Sequence, residues 1–248
     1  LAKCMASLPP FPEPLPSGPQ EVLQIRGGSI LKGKVDISGS KNTALVLMAA
    51  ALLCRGPVVL RRIPDLTDIH SMATVITSTG ASLLSDGRGT VEIDGSHVSS
   101  VCPSEEATQA LRAGFLVFGP LLARHGEAAV AFPGGCKIGA RPVDLHVFGL
   151  QRMGAQITQC GDVLSASGKL HGADVTLGFP SVGATECLLM AASIANGTTV
   201  IRHAAMEPEI VALADFLNLV GARVSGAGSS TIHIEGVKEL SGGACDVV

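Results

Sequence analysis

Apolar positions along this chain follow two alternating periods. Val22 to Ile25 and Gly33 to Ile37 alternate as strands do, and the second run leads into Ser38-Gly39-Ser40-Lys41-Asn42. Unbroken apolar sequence then predicts a helix over 43–54. A strand over 58–62, the turn Ile63-Pro64-Asp65, a helix near 66–79 closed by Gly80, and short strands around 81–84 and 90–93 complete a βαβαββ-like unit.

The unit recurs. Aligning Ser40 with Ser181 sets an offset of 141 residues, which holds without a gap through Gly56/Gly197, Arg61/Arg202, Ile69/Ile210, Gly80/Gly221 and Gly95/Gly236. A middle copy pairs Gly126 with Gly56 at an offset of 70 and Gly154 with Gly80 at 74, so four extra residues fall in the stretch that contains PGGC. Three copies predict an α/β fold of pseudo-threefold symmetry, with helices inside and small sheets outside in an inside-out barrel. The middle copy predicts a helix over 105–123 that carries Arg112 among apolar neighbours, and a buried arginine needs an anionic partner in the protein or in a ligand. The third opens at Phe179-Pro180-Ser181-Val182-Gly183, a capped start for a helix over 183–195, and its later helix opens at Glu207-Pro208-Glu209.

Composition narrows the function. Of 248 residues 46% are hydrophobic and 3% aromatic, with no Trp or Tyr, so the core has to be aliphatic and alanine-rich. The longest apolar run, Ala44 to Cys54, is too short to span a bilayer, which argues against a membrane partner. A net charge of −3, without a basic stripe or stacking rings, argues against nucleic acid and for a small-molecule ligand. Seven cysteines without a CxxC pair point to a reducing compartment, and the scattered histidines assemble no metal site. Nothing calls for a cofactor. Six prolines within residues 1–20 make an extended, poorly packed leader; it lacks the arginines of a typical transit peptide, though it fits the tail end of one.

Two stretches carry candidate chemistry. The serine-capped start at Ser40 leaves amides free ahead of the helix and Lys41 adds a full charge, which makes either an anion site or an ordinary capped helix. From Pro133 to His146 the chain reads PGGCKIGARPVDLH, a glycine-rich loop with Cys136 beside Lys137 and near Arg141. Neighbouring cations favour thiolate and attract anions, so this is either a reactive cysteine at a phosphate or carboxylate site or a surface turn with an incidental thiol.

GGSILKGKVDISGSKNTAL, LRAGFLVFGPLLARHG, FPGGCKIGARPVDLH, FPSVGATE and EPEIVALADFLNLVGA lie in order between residue 26 and about residue 243, and together they resemble the UDP-N-acetylglucosamine enolpyruvyl transferases. The resemblance implies a two-domain enolpyruvyl transferase fold with three such units in each domain. It implies transfer of the enolpyruvyl group of phosphoenolpyruvate to the 3-hydroxyl of UDP-N-acetylglucosamine, the first committed step of peptidoglycan precursor synthesis. By the same likeness Lys41 would hold phosphoenolpyruvate, Asn42 would orient the reactants, and Arg112 and Arg141 would contact anionic groups. Cys136 would act as general acid or form a covalent adduct. Arg141, Pro142, Val143, Asp144 and Leu145, with Phe179, Pro180, Ser181, Val182 and Gly183, would bind the nucleotide sugar. Met206 stands where the family usually has a basic residue. On this reading residues 1–20 are leader and 21–38 belong with the other, absent domain. Residues 39–243 form one domain of three repeats, about 39–98, 99–170 and 171–243, which alone does not turn over. A cytoplasmic location follows, or a plastid if the leader is a transit-peptide remnant. Two alternatives remain: a non-catalytic remnant that keeps its ligand-binding residues, and an enzyme like enolpyruvylshikimate phosphate synthase.

Overall fold

Ser40 starts the ordered architecture. Its backbone is extended and its hydroxyl accepts from Thr43 N–H, so one orphan donor of the first turn is satisfied and the chain enters helix α1 (Lys41–Ala50). In the computed structural model, which describes residues 24–28, 30–132 and 143–248, every residue from Thr43 to Ala50 is buried. A helix that is apolar all round has to run through the interior. A 3₁₀ turn, Ala51–Leu53, extends it before strand β1 (Val58–Arg61), helix α2 (Thr67–Ser78) and strands β2 (Ser82–Ser85) and β3 (Val91–Asp94).

The middle unit departs from the single helix expected over 105–123. It contains α3 (Glu105–Ala110), a break at the extended Leu111, a 3₁₀ stretch Arg112–Val117, and then α4 (Phe118–His125). Pro120 accounts for the start of α4 and not for the break at Leu111: in a continuous helix its ring would stand against the carbonyl of Leu116, whereas in the first turn of a new helix its missing N–H costs nothing. Strand β4 (Glu127–Ala131), helix α5 (Asp144–Arg152) and strands β5 (Gln156–Cys160) and β6 (Val163–Ser167) complete the unit. The third unit is β7 (Asp174–Thr176), α6 (Val182–Ala192), β8 (Thr198–Arg202), α7 (Pro208–Leu219), β9 (Arg223–Ser225) and β10 (Thr231–Glu235), and strand β11 (Gly243–Asp246) follows it.

The 141-residue offset is visible in the backbone. Helix α2 maps onto α7 from end to end, and α1 onto α6 but for one residue. Among the described residues two non-glycine residues have positive φ, Arg62 at 61° and His203 at 53°, and the offset relates them. Each follows the first long strand of its unit and turns the chain so that the next amide reaches the same partner: Ile63 N–H donates to Gly89 O, Ala204 N–H to Ser230 O.

Three sheets lie outside the helices, in strand orders β11-β1-β3-β2, β4-β6-β5 and β7-β8-β10-β9. In the third, β7 precedes α6 and pairs parallel with β8; in the first, the place beside β1 is filled by β11 from the other end of the chain. The strand expected over Gly33 to Ile37 is therefore not formed, and Val35 and Ile37 are exposed, as are Ile25, Ile30 and Leu31 before them. Of the strand expected over Val22 to Ile25, residues 22 and 23 lie outside the described residues. Inside, α1 packs on α2 and α7, and α6 packs on α4, α5 and α7. The approach of α4 to α6 is close enough that a Cβ at Gly119 would stand 2.7 Å from Cys187 O. Cys54 and Cys187 are buried in this core, and desolvation pushes both thiols up to about 12.

Candidate functional site

The first residues of α1, α2, α5, α6 and α7 meet at one end of the bundle, around a cavity of about 640 Å³. Helix α1 contributes Lys41, Asn42 and Leu45, and α2 contributes Asp68. The broken middle helix supplies Leu111, Arg112 and Phe115, and Val143 and His146 stand at the start of α5. The capped entry to α6 gives Phe179 to Gly183 and then Glu186, and α7 gives Glu209. Amide donors at helix N-termini favour negative charge, so converging termini make this end of the molecule receptive to an anion.

The polar groups are partly spent on one another. Lys41 Nζ stands 2.6 Å from Asp68 Oδ2, both side chains half exposed, and Asn42 Nδ2 donates to Glu209 Oε1 at 3.1 Å. Asp68 and Glu209 are repeat equivalents, each the second residue of its helix. An exposed pair such as Lys41 with Asp68 holds little energy, so an incoming anion can take the lysine from the aspartate. Arg112 is exposed rather than buried as expected, and it pairs with no other described residue; the break at Leu111 sets it at the cavity instead of in a helix interior.

Two further groups are held neutral. Burial lowers His146 to about 4, against the opposing pull of Asp144 and the Gly183 backbone; its ring packs edge-on to Phe115, and its shielded Nδ1 has no hydrogen-bond partner among the described residues. Burial raises Glu186 to about 8, with repulsion from Glu209 and then Glu207 adding to it.

Of the residues singled out from sequence, Lys41, Asn42, Arg112, Val143, Phe179, Pro180, Ser181, Val182 and Gly183 surround this one cavity. Asp144 and Leu145 open α5 beside it without lining it. Cys136, Arg141 and Pro142 lie outside the described residues. Sequence reasoning passed over Asp68, His146, Glu186 and Glu209. The first and last could have been found by asking which carboxylates share a repeat position, and Glu186 by noting that its repeat equivalent is Leu45. Among the described residues no group of His, Cys, Asp and Glu is placed to hold a metal ion.

Helices inside, sheets outside and one anion-receptive end define the enolpyruvyl transferase architecture. Residues 25–248 match the family model described as EPSP synthase (3-phosphoshikimate 1-carboxyvinyltransferase), and the chain belongs to that family. In fold it is similar to the enolpyruvyl transferase NikO from Streptomyces tendae, with a TM-score of 0.78, 19% identity, and coverage of 90% of this chain and 53% of that one. It is also similar to EPSP synthase from Acinetobacter baumannii, with a TM-score of 0.69, 21% identity, and coverage of 87% and 49%.

Within the family, sequence similarity points to one member. The chain is 47% identical over 227 residues to UDP-N-acetylglucosamine 1-carboxyvinyltransferase of Desulforapulum autotrophicum, covering 91% of this chain and 54% of the relative. It is 48% identical over 227 residues to the protein of the same name from Gloeobacter violaceus, covering 91% and 50%. The chain thus spans about half the length of the curated relatives it matches.

Proposed function

We propose that this chain contributes the cysteine-loop domain of a UDP-N-acetylglucosamine 1-carboxyvinyltransferase. The carrying observation is that relatives so named match 91% of the chain at 47% and 48% identity, and that nine of the residues singled out from sequence surround one cavity. The substrates on this reading are phosphoenolpyruvate and UDP-N-acetylglucosamine. Residues 39–243 act as one domain of three repeats, with 21–38 leading to the other domain. A cytoplasmic location accompanies the reading; no helix among the described residues is long and apolar enough to cross a membrane.

The chemistry assigns each group a task. Lys41 and Arg112, with Arg141 from the loop, offset the charge of phosphoenolpyruvate, and Lys41 turns from Asp68 to do so. Cys136 gives its proton to the methylene carbon as the sugar 3-hydroxyl gives up its own proton to a general base and adds through oxygen to the neighbouring carbon. The resulting tetrahedral adduct returns a proton from the new methyl group to the Cys136 thiolate and expels phosphate, which restores the enol ether. Val143 to Leu145 and Phe179 to Gly183 hold the nucleotide sugar, with the half-exposed Phe179 offering a stacking face.

Intact mass after exposure to an epoxide phosphonate of the fosfomycin type tests the reading. A single adduct on Cys136, formed faster with UDP-N-acetylglucosamine present, is expected. Equal labelling of several cysteines, or acceleration by shikimate 3-phosphate in place of the nucleotide sugar, would overturn it.

A further inference from the structure

Leu45 and Glu186 occupy equivalent positions in the first and third units, and both line the cavity. One copy of the repeat satisfies the demand for an apolar residue and the other puts a carboxyl group there. Glu186 is 6% exposed and lines the cavity, and its carboxyl forms no hydrogen bond with the described residues. A carboxyl so desolvated favours its neutral form, and the cavity is where its hydrogen bonds have to be made.

The surroundings indicate what completes it. Around the cavity stand Lys41, already joined to Asp68, Arg112, which pairs with no other described residue, the neutral His146, and Glu209, which is joined to Asn42; Glu207 acts from the cap of α7. Helix α5 adds Asp144 at its start and Arg152 in its last turn, while α4 carries its charges, Arg124 and His125, in its last turn. Strand β8 ends in Arg202, paired with Asp174, and β10 carries His233 and Glu235. Burial first, and then Glu209 of α7 and Glu207 at its cap, disfavour a charge at Glu186, so the group keeps its proton and has an O–H to donate. A donor at the wall of an anion-receptive cavity is completed by an oxyanion.

We infer that Glu186 is a proton-holding member of the site: as a neutral acid it donates a hydrogen bond to the anionic ligand, so that anion binding and retention of this proton are coupled. The inference deepens the proposed function, since phosphoenolpyruvate is the anion on that reading. His146, lowered to about 4 by burial, stays neutral above pH 7 and adds no slope there. Once Glu186 has ionised in the free protein, anion affinity falls by up to about tenfold per pH unit, the limit for one coupled proton.

The test uses the full 248-residue chain with carboxyl-¹³C glutamate, the Glu186 signal being assigned by its loss in Glu186→Gln. The signal is titrated alone, with phosphoenolpyruvate, and with sulfate, which does not itself titrate in this range. The expected result is a midpoint moved to higher pH by either anion, with affinity that falls above the free-protein midpoint in the wild type and stays flat in Glu186→Gln. Glu186→Leu, which copies the residue at the equivalent position of the first unit, checks the donor: it binds anion more weakly than the wild type below the free-protein midpoint, shows no slope, and loses that deficit as the wild type ionises. A midpoint moved to lower pH would mean that Glu186 ionises to meet a cation, and would overturn the inference. So would a midpoint moved by neither anion, or a slope unchanged in Glu186→Gln. A midpoint raised by sulfate but not by phosphoenolpyruvate would keep the inference and sink the assigned substrate.

Discussion

His146 and Glu186 face the same cavity and bias stability in opposite directions with pH. His146 is near 4 when folded and near the ordinary histidine value when unfolded, so between about 4 and 6.5 the unfolded chain binds more protons and stability rises with pH. Glu186 is near 8 when folded and near the ordinary carboxylate value when unfolded, so between about 4.5 and 8 the folded chain binds more protons and stability falls as pH rises. Urea midpoints measured from pH 4 to 9 should therefore separate the two. His146→Phe keeps the edge contact with Phe115 and abolishes the acid-side loss, while Glu186→Leu abolishes the alkaline-side loss. A His146→Phe profile identical to the wild type would refute the assignment. Neither residue was singled out by type or spacing, since a lone histidine after a loop and a glutamate in a helix are common. What distinguishes them is the wall they share, which only the packing of α5 against α6 creates.

At the scale of the element, helix starts were the most legible part of the chain. Ser40 and Ser181 were read as caps, and both hydroxyls accept from the amide three residues on. Ser181→Ala should cost about 1 kcal/mol in urea unfolding, the usual worth of such a cap. The broken middle helix was not legible, because a hydrophobic period continues through a 3₁₀ stretch as well as through an α-helix. Pro120 held part of the missing information, the start of α4. If it sits in a first turn, Pro120→Ala shifts stability by no more than about 1 kcal/mol, whereas removing a proline that kinks a helix interior would gain on the order of 3. Strand alternation misled at Gly33 to Ile37 for another reason: alternation marks a segment able to pair, and whether a partner stands beside it is settled elsewhere in the chain.

Across the whole molecule, the repeat was legible because glycines that permit positive φ cannot drift. Gly80, Gly221 and Gly154 close the corresponding helices of the three units, all with φ near 90° to 110°. The identity of the strand beside β1 was not legible, since β11 is the last strand of the chain and no local pattern links the two. That strand brings the two ends of the folded unit together: Gly39 N–H donates to Arg62 O, Val247 N–H to Arg61 O, and Ser40 N–H to Val248 O at 3.4 Å. The three units thus form a loop of chain with a seam where residues 39–40 meet residues 247–248. A circular permutant that joins Val248 to Gly39 through a few glycines and opens between the exposed Gly87 and Arg88 should fold to the same helix content by circular dichroism and melt within several degrees of the parent, as permutation at adjacent ends generally allows.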